Sequence, residues 1–296
     1  MIRTRLFRLV LLLTLGLATA LLGCGSSDGG AGGSGDAGGS GGTGGSNGAA
    51  LRILVTNDDG VGAPGIDAIV EALRADPRNE IIVSAPAENK SGSGDRTTPT
   101  PPPLETMMTT TASGYPATAV VGLPADAVVY ALANLYPDGP PDLVLSGINN
   151  GQNVGNVKGL LSQVSGTVGA AKTAACADVP ALASSQGSGE TVDFPAGVDA
   201  VLAWLDANRA ALLAGDVPVQ NITSINVPSC DGKGSIRGTV EVPLATMAPD
   251  YVMSPIFGDP QDCESIRESP SNDMEAFFNG FVAVTPVPRA TTCPNK

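Results

Sequence analysis

Thirteen residues, Ile53 to Gly65 (ILVTNDDGVGAPG), constrain this chain more than any other stretch. A β-branched, aliphatic run ends in the adjacent carboxylates Asp58 and Asp59 and then in a glycine-rich turn. In an open α/β sheet the carboxyl ends of buried strands face the ligand crevice, so this strand delivers two hard oxygen donors there. The arrangement predicts a metal site. An Asx helix cap beside a turn acid would explain the two residues taken alone. Their weight comes from what lies further along the chain.

Strand-like runs at 52–56, 80–85, 142–146, 181–184 and 222–227 alternate with helical patterns at 65–75, 125–133, 166–177 and 196–213. Such alternation implies right-handed crossovers and a mostly parallel sheet with helices on both faces. The expected fold class is therefore α/β, a doubly wound, Rossmann-like three-layer core. After Pro228 and Cys230 the pattern changes to short runs punctuated by Pro, Asp and Ser, so residues 229–296 read as a β-rich extension made of strand pairs. Thr97 to Pro103 holds four prolines in seven residues and reads as an extended loop.

Two more strand ends bring donors to the same edge. Asn89-Lys90-Ser91-Gly92-Ser93-Gly94 follows the second apolar run, and Ser146-Gly147-Ile148-Asn149-Asn150-Gly151-Gln152-Asn153 follows the third. Asp58 and Asp59 supply charge while Ser91 and Asn149 supply neutral oxygens, a ligand set suited to one hard cation such as Mg²⁺ or Mn²⁺. Ser165-Gly166-Thr167 opens a helix whose free amides and two hydroxyls form an anion cradle without side-chain charge. Gly60-Val61-Gly62-Ala63-Pro64-Gly65 also matches the dinucleotide fingerprint GxGxxG. That fingerprint needs its first glycine directly after the strand and an acid ending the second strand, whereas here two carboxylates intervene and Glu80 opens the second strand. The chain contains no histidine, which excludes Ser-His-Asp triads, phosphohistidine chemistry and His-ligated metals. Metal-assisted hydrolysis remains, with Asp58 as the group to orient or deprotonate the attacking water.

The motifs NDDGVGAPGI, APAENKSGSG, GLPADAVVYAL, PDLVLSGINNGQN and SGTVGAA occur in the order and near the spacing of the SurE family of survival-protein phosphatases, which the chain resembles from Leu51 to Pro228 and more weakly to Pro286. The resemblance implies a metal-dependent nucleoside monophosphate phosphatase. It makes Asp58, Asp59, Ser91 and Asn149 the metal ligands and sets Asn153 with Ser165, Gly166 and Thr167 around the phosphate. It also implies a homodimer or homotetramer, with arms from residues 229–296 reaching a partner subunit. Four features depart from the family pattern. Gly62 stands where a histidine is frequent, Leu123 where a threonine is usual, and Asn153 to Ser165 spans about four positions more than in the family, with Val164 where a tyrosine is common. The lengthened segment, Lys158-Gly159-Leu160-Leu161 at its middle, falls on the expected rim of the site.

Residues 1–23 carry Arg3, Arg5 and Arg8, an apolar run from Leu9 to Leu22, and then Leu21-Leu22-Gly23-Cys24. This is the layout of a bacterial lipoprotein signal cleaved before Cys24, and the run is too short for a spanning helix, which needs about 20 apolar residues. Gly25 after the cysteine points to the periplasmic face of the outer membrane. Residues 24–50 are nearly all Gly, Ser, Ala, Thr and Asp, a flexible tether, and residues 51–228 form the core. Removal of the three arginines takes Lys+Arg from 16 to 13 against 29 Asp+Glu, so the net charge moves from −13 to −16. An acidic surface disfavours nucleic-acid polymers and leaves small nucleotides held through a local cation. The mature chain keeps Cys176, Cys230, Cys263 and Cys293, none in a CxxC pair. Bridges are expected among Cys230, Cys263 and Cys293, with Cys176 in a helix that ends on the core.

The sequence therefore reads as a lipid-anchored, divalent-metal-dependent phosphomonoesterase acting on nucleoside 5′- or 3′-monophosphates and other small phosphate esters. The alternative is a nucleotide- or phosphate-binding surface lipoprotein in which the altered rim from Val154 to Val164 has weakened turnover. No aromatic side chain is visibly placed to stack on a base.

Overall fold

A computed structural model describes residues 49–98, 104–248, 261–290 and 293. The expected signal segment, Cys24, nearly all of the tether and the prolines of the 97–103 loop lie outside the described residues. Along the chain run β1 (Leu51–Thr56), α1 (Pro64–Arg74), β2 (Asn79–Pro86), β3 (Thr106–Thr110), β4 (Pro116–Val120) and α2 (Pro124–Asn134). Then come β5 (Leu143–Asn150), α3 (Leu160–Val164), α4 (Gly166–Cys176), β6 (Ala181–Gln186) and α5 (Phe194–Ala214). The last elements are β7 (Asn221–Val227), β8 (Thr239–Glu241), α6 (Asp273–Phe278) and β9 (Val282–Pro288).

Among the described residues nine strands form one sheet in the order β3-β4-β2-β1-β5-β6-β7-β9-β8. From β4 to β7 every pairing is parallel, and β1 sits between β2 and β5. Successive crossovers leave β1 in opposite directions, so its carboxyl end is the topological switch point where open α/β sheets bind ligands. The fold is the expected doubly wound α/β sheet.

Burial on both faces explains why β1 reads as a continuous apolar run. Ile53 and Val55 point into one core cluster with Ile66, Ile69 and Leu73 of α1 and Val201 and Leu205 of α5. Leu54 points the other way, to Val128 of α2 and Val168, Ala171 and Ala175 of α4. Each such side chain, removed wholly from water, contributes about 2 kcal/mol. The spacing of Gly197, Val201 and Leu205, every fourth residue, puts one stripe of α5 on the sheet. Asp193 caps the start of this helix and Gly215, in the left-handed region, its end.

Several elements differ from the sequence reading. The β3–β4 hairpin was absent from it, because β3 is an edge strand with four of its five residues exposed and so lacks an apolar alternation. Residues 229–296 hold the helix α6 as well as strands. β9 lies antiparallel to β7 and parallel to β8, so this part of the chain completes its own sheet.

The cysteine pairing meets the expectation at Cys230 and Cys263 and departs from it at Cys176. Cys176 is joined to Cys293, and Cys230 to Cys263. Cys176 is the last residue of α4, and its place at the helix end exposes it to the segment after β9. Arg289 docks that segment by donating to Ala175 O at 2.9 Å and pairing with Asp178 at 3.1 Å. Among the described residues no helix is long and apolar enough to cross a membrane.

The bridges close loops of different size, with sequence separations of 117 and 33. Chain entropy gives the longer loop about 1 kcal/mol more stabilisation. The double variant Cys176→Ser/Cys293→Ser should therefore unfold in less urea than Cys230→Ser/Cys263→Ser. Equal midpoints in urea titrations would refute the entropic account.

Candidate active site

β1 and β5 run side by side with Thr56 opposite Ser146, so both release their next residues at the same edge. The turn after β1 is closed by Asn57, whose Nδ2 donates to Gly60 O at 2.8 Å and whose Oδ1 accepts from Gly60 N at 3.2 Å. Gly60 has φ +102°, and a Cβ there would stand 3.1 Å from the Glu88 carbonyl carbon. Only glycine lets the loop after β2 come this close. That loop is then tied to the turn, since Lys90 N donates to Asp58 O at 2.7 Å.

The two carboxylates face different neighbours. Asp58 is buried and accepts from Thr167 Oγ1 at 2.6 Å through Oδ1. A Cβ on Gly166 would lie 2.7 Å from Asp58 Cβ, so α4 begins directly against the aspartate. Asp59 is half-buried and bridges two loops, accepting from Asn89 Nδ2 at 3.2 Å and from Asn150 N at 2.9 Å. Burial pushes the Asp58 carboxyl up to about 6 against the opposing Thr167 hydrogen bond, and repulsion from Asp59 adds to the rise. Burial also raises Asp59, with the Asn150 and Asn89 donors acting against it.

This donor set fits a hard cation. Asn149 Nδ2 donates to Gly151 O at 2.6 Å, which leaves Oδ1 as the atom to offer a cation. Ser91 is exposed in the loop after β2, where its backbone N–H donates to Asn89 Oδ1 at 2.8 Å. The buried Ser93 Oγ, which a Cβ on Gly166 would meet at 2.7 Å, has no hydrogen-bond partner among the described residues. Among the described residues no three His, Cys, Asp or Glu side chains cluster, so any cation here would rest on two carboxylates plus neutral oxygens.

The expected anion cradle is assembled at the start of α4. Ser165 caps the helix, accepting from Val168 N at 3.0 Å and keeping its own proton for an anion. The Gly166 and Thr167 amides belong to the first turn, where no helical carbonyl lies behind them. The Thr167 hydroxyl, expected to face phosphate, instead gives its proton to Asp58. Asn153 faces the same place, with Nδ2 donating to Ser185 Oγ at 2.8 Å and Thr167 Oγ1 at 3.4 Å. Its backbone is held by Asn226, whose Oδ1 accepts from Asn153 N at 2.7 Å.

Sequence reasoning did not single out Ser185, Asn226, Phe194 or the role of Asp273. Phe194, the first residue of α5, lines a cleft of about 430 Å³ together with Asp59, Asn89 and Asn150. A larger cavity, about 820 Å³, lies along the C-terminal half of α4 beside Lys172 and Arg289. It holds neither carboxylate of the β1 end, whereas the smaller cleft includes Asp59. Buried Asp273 accepts from Gly155 N and Ala245 N, each at 2.7 Å, and from Met274 N at 3.0 Å. Burial raises its carboxyl against these three donors. It thereby fixes the turn directly after Asn153, with Val154 packed on Met274 and Phe277. The lengthened 153–165 segment folds as a 3-10 turn (Val157–Gly159) and α3, and Val164 O accepts from Gly94 N at 3.2 Å.

Comparison with known proteins gives a consistent picture. The family model described as "Survival protein SurE" matches residues 53–248. The 5′-nucleotidase SurE of Rhizorhabdus wittichii is 34% identical over 253 residues, covering 80% of this chain and 93% of that protein. The 5′-nucleotidase SurE of Methanopyrus kandleri is 35% identical over 257 residues, covering 80% and 91%. The crystal structure of the Sure protein from Aquifex aeolicus superposes with a TM-score of 0.62 at 26% identity, covering 81% of this chain and 94% of that one.

Replacing Asp273 by Ala leaves three amide donors without their acceptor. The variant should lose about 3 kcal/mol or more of unfolding free energy, at roughly 1–3 kcal/mol per unmet buried group. A loss below about 1 kcal/mol in urea denaturation would mean that water or a neighbour replaces the carboxylate.

Proposed function

The chain belongs to the survival protein SurE family, and from that membership we propose that it is a divalent-metal-dependent phosphomonoesterase acting on nucleoside 5′- or 3′-monophosphates and other small phosphate esters. One observation carries the reading: the buried Asp58 is hydrogen-bonded to Thr167 in the first turn of α4, so the cation donors and the anion cradle share a border. A phosphate seated on the cradle has the carboxylate pair beside it.

Asp58, Asp59, Ser91 and Asn149 would hold one Mg²⁺ or Mn²⁺. When bound, the cation neutralises phosphoryl charge and lowers the pKa of water. Ser165 Oγ and the first-turn amides of α4 bind the phosphate oxygens and fix the ester in line for attack, with Asn153 beside them, its Nδ2 held by Ser185 and Thr167. Asp58 Oδ2, the oxygen not bonded to Thr167, accepts the proton of the attacking water. Burial of Asp58 and Thr167 keeps bulk water from competing at that edge.

The protein is further proposed to be lipid-anchored through Cys24 at the periplasmic face of the outer membrane and to act as a homodimer or homotetramer. The anchor rests on Leu21-Leu22-Gly23-Cys24 and the basic, apolar stretch before it. Two disulfides support an oxidising compartment.

Hydrolysis of p-nitrophenyl phosphate should require Mg²⁺ or Mn²⁺, stop with EDTA, and fall at least about 100-fold in Asp59→Asn, because a charged ligand is lost from a site whose transition state the cation stabilises by several kcal/mol. A purified wild type that binds phosphate or nucleotide but turns over no ester would favour the binding-lipoprotein alternative. Full activity in EDTA would remove the metal. Cys24→Ser should shift the protein from the membrane to the soluble periplasmic fraction or leave it uncleaved, and mass spectrometry finding the wild type unlipidated would sink the anchor.

A further inference from the structure

On β6 and β7 the face turned to α4 begins apolar and ends polar. Ala181, Ala183 and Ile222 belong to the core cluster packed under α4, and the same face continues with Ser185, Ser224 and Asn226, all buried. Ser185 and Asn226 stand opposite each other in the parallel register. Nothing in the packing of the sheet calls for an amide at this level. Asn226 is 0% exposed, and a polar group so placed is costly unless each of its ends is met.

Both ends of the Asn226 amide turn to one residue of the loop after β5. Its Oδ1 accepts from Asn153 N at 2.7 Å and its Nδ2 donates to Asn153 O at 3.3 Å, the pairing that a neighbouring strand would offer. The same Nδ2 donates to Ser224 Oγ at 3.2 Å. The side chain of Asn153 is held by β6 instead, since its Nδ2 donates to Ser185 Oγ at 2.8 Å. With backbone and side chain both fixed, the second Nδ2 proton falls to Thr167 Oγ1 at 3.4 Å. That oxygen accepts from Asn153 and gives its own proton to Asp58 Oδ1 at 2.6 Å. A series of hydrogen bonds thus runs from the end of β7 to the buried carboxylate through Asn226, Asn153 and Thr167. Among the described residues Asn226 makes no hydrogen bond to Ser165, Gly166 or Thr167, and the cradle takes its shape from the Ser165 cap on Val168 N.

We propose that Asn226 is a positioning residue for phosphoester hydrolysis: it meets no substrate, and by clamping the Asn153 peptide it sets Thr167 against Asp58, which keeps Asp58 Oδ2 aimed as the base. The role rests on the phosphomonoesterase reading and adds to its machinery a residue that never touches the ester. Because the cradle amides stand on α4 and the clamp on β7, loss of the clamp slows the chemical step and leaves phosphate binding in place. A misplacement of about 1 Å can cost up to ~100-fold in rate.

The test is steady-state hydrolysis of p-nitrophenyl phosphate by the full-length protein with Mg²⁺, with inorganic phosphate as a competitive inhibitor. In Asn226→Ser, kcat should fall about tenfold while KM and the inhibition constant of phosphate change by less than about twofold. Ser185→Ala, which frees the other hold on Asn153, should move kcat the same way by a smaller factor. The double variant Asn153→Ala/Asn226→Ser should be no slower than Asn153→Ala, because a residue that acts through another adds nothing once that other is gone. Should Asn226→Ser not fold, Asn226→Asp takes its place with the same split expected, since it keeps the shape and the acceptor for Asn153 N but loses the donor to Asn153 O. An active wild type with unchanged kcat in the Asn226 variant, an equal loss of kcat and phosphate binding, or penalties that multiply in the double variant would overturn the role and leave the phosphatase reading standing. A wild type that hydrolyses no ester removes that reading and the role with it.

Discussion

Two adjacent carboxylates placed at the buried end of a parallel strand set the terms for everything around them. Removing a charge from water is costly, and here Asp58 and Asp59 repel each other as well. The fold answers with aimed donors: the Thr167 hydroxyl on one carboxylate, and the Asn89 amide and Asn150 N–H on the other. Those donors come from α4, from the loop after β2 and from the end of β5, so the carboxylate pair effectively decides where three separate segments meet. The glycines at 60 and 166 follow from the same demand, because a side chain at either would hold a donor-bearing segment away.

Much of this could be read from the sequence, for reasons that are local. The β1 run, the Asp pair, the Gly-rich turn and the Ser165 cap each carry their signal within a few residues, and burial on both faces made the parallel strands read as plain apolar runs. The proposed ligand set depends on Ser91 and Asn149 following their own strands, and the parallel sheet ends β1, β2 and β5 at one edge. What escaped was non-local or weakly patterned. β3 shows its Thr and Met side chains to solvent and has no apolar face. Cys176 looked buried because a helix made it so, yet it ends that helix where the chain's last residues arrive. Phe194 lies over a hundred positions from Asp59 in sequence, and only the packing of α5 against α1 through Gly65 brings the ring to the cleft.

The lengthened segment between Asn153 and Ser165 is held at both ends rather than draped over the site. Asn226 and Asp273 fix its start, and the Ser165 cap with the Val164–Gly94 hydrogen bond fixes its close. The added residues are taken up by a helical turn, so the spacing of Asn153 from Thr167 is set by anchors instead of by loop length. The added length therefore leaves the Asn153–Thr167 hydrogen bond in place.

The seat of β9 inverts the order in which one edge of the molecule can form. β8 leaves the ribosome first, yet its partner in the sheet is β9, which is made more than forty residues later. Until then β8 has no ladder to join, while β7 stands as a temporary edge with its outer hydrogen-bonding groups unmet. β9 therefore both closes that edge and recruits its predecessor, and a chain stopped short of it would keep an open, pairing-competent sheet edge.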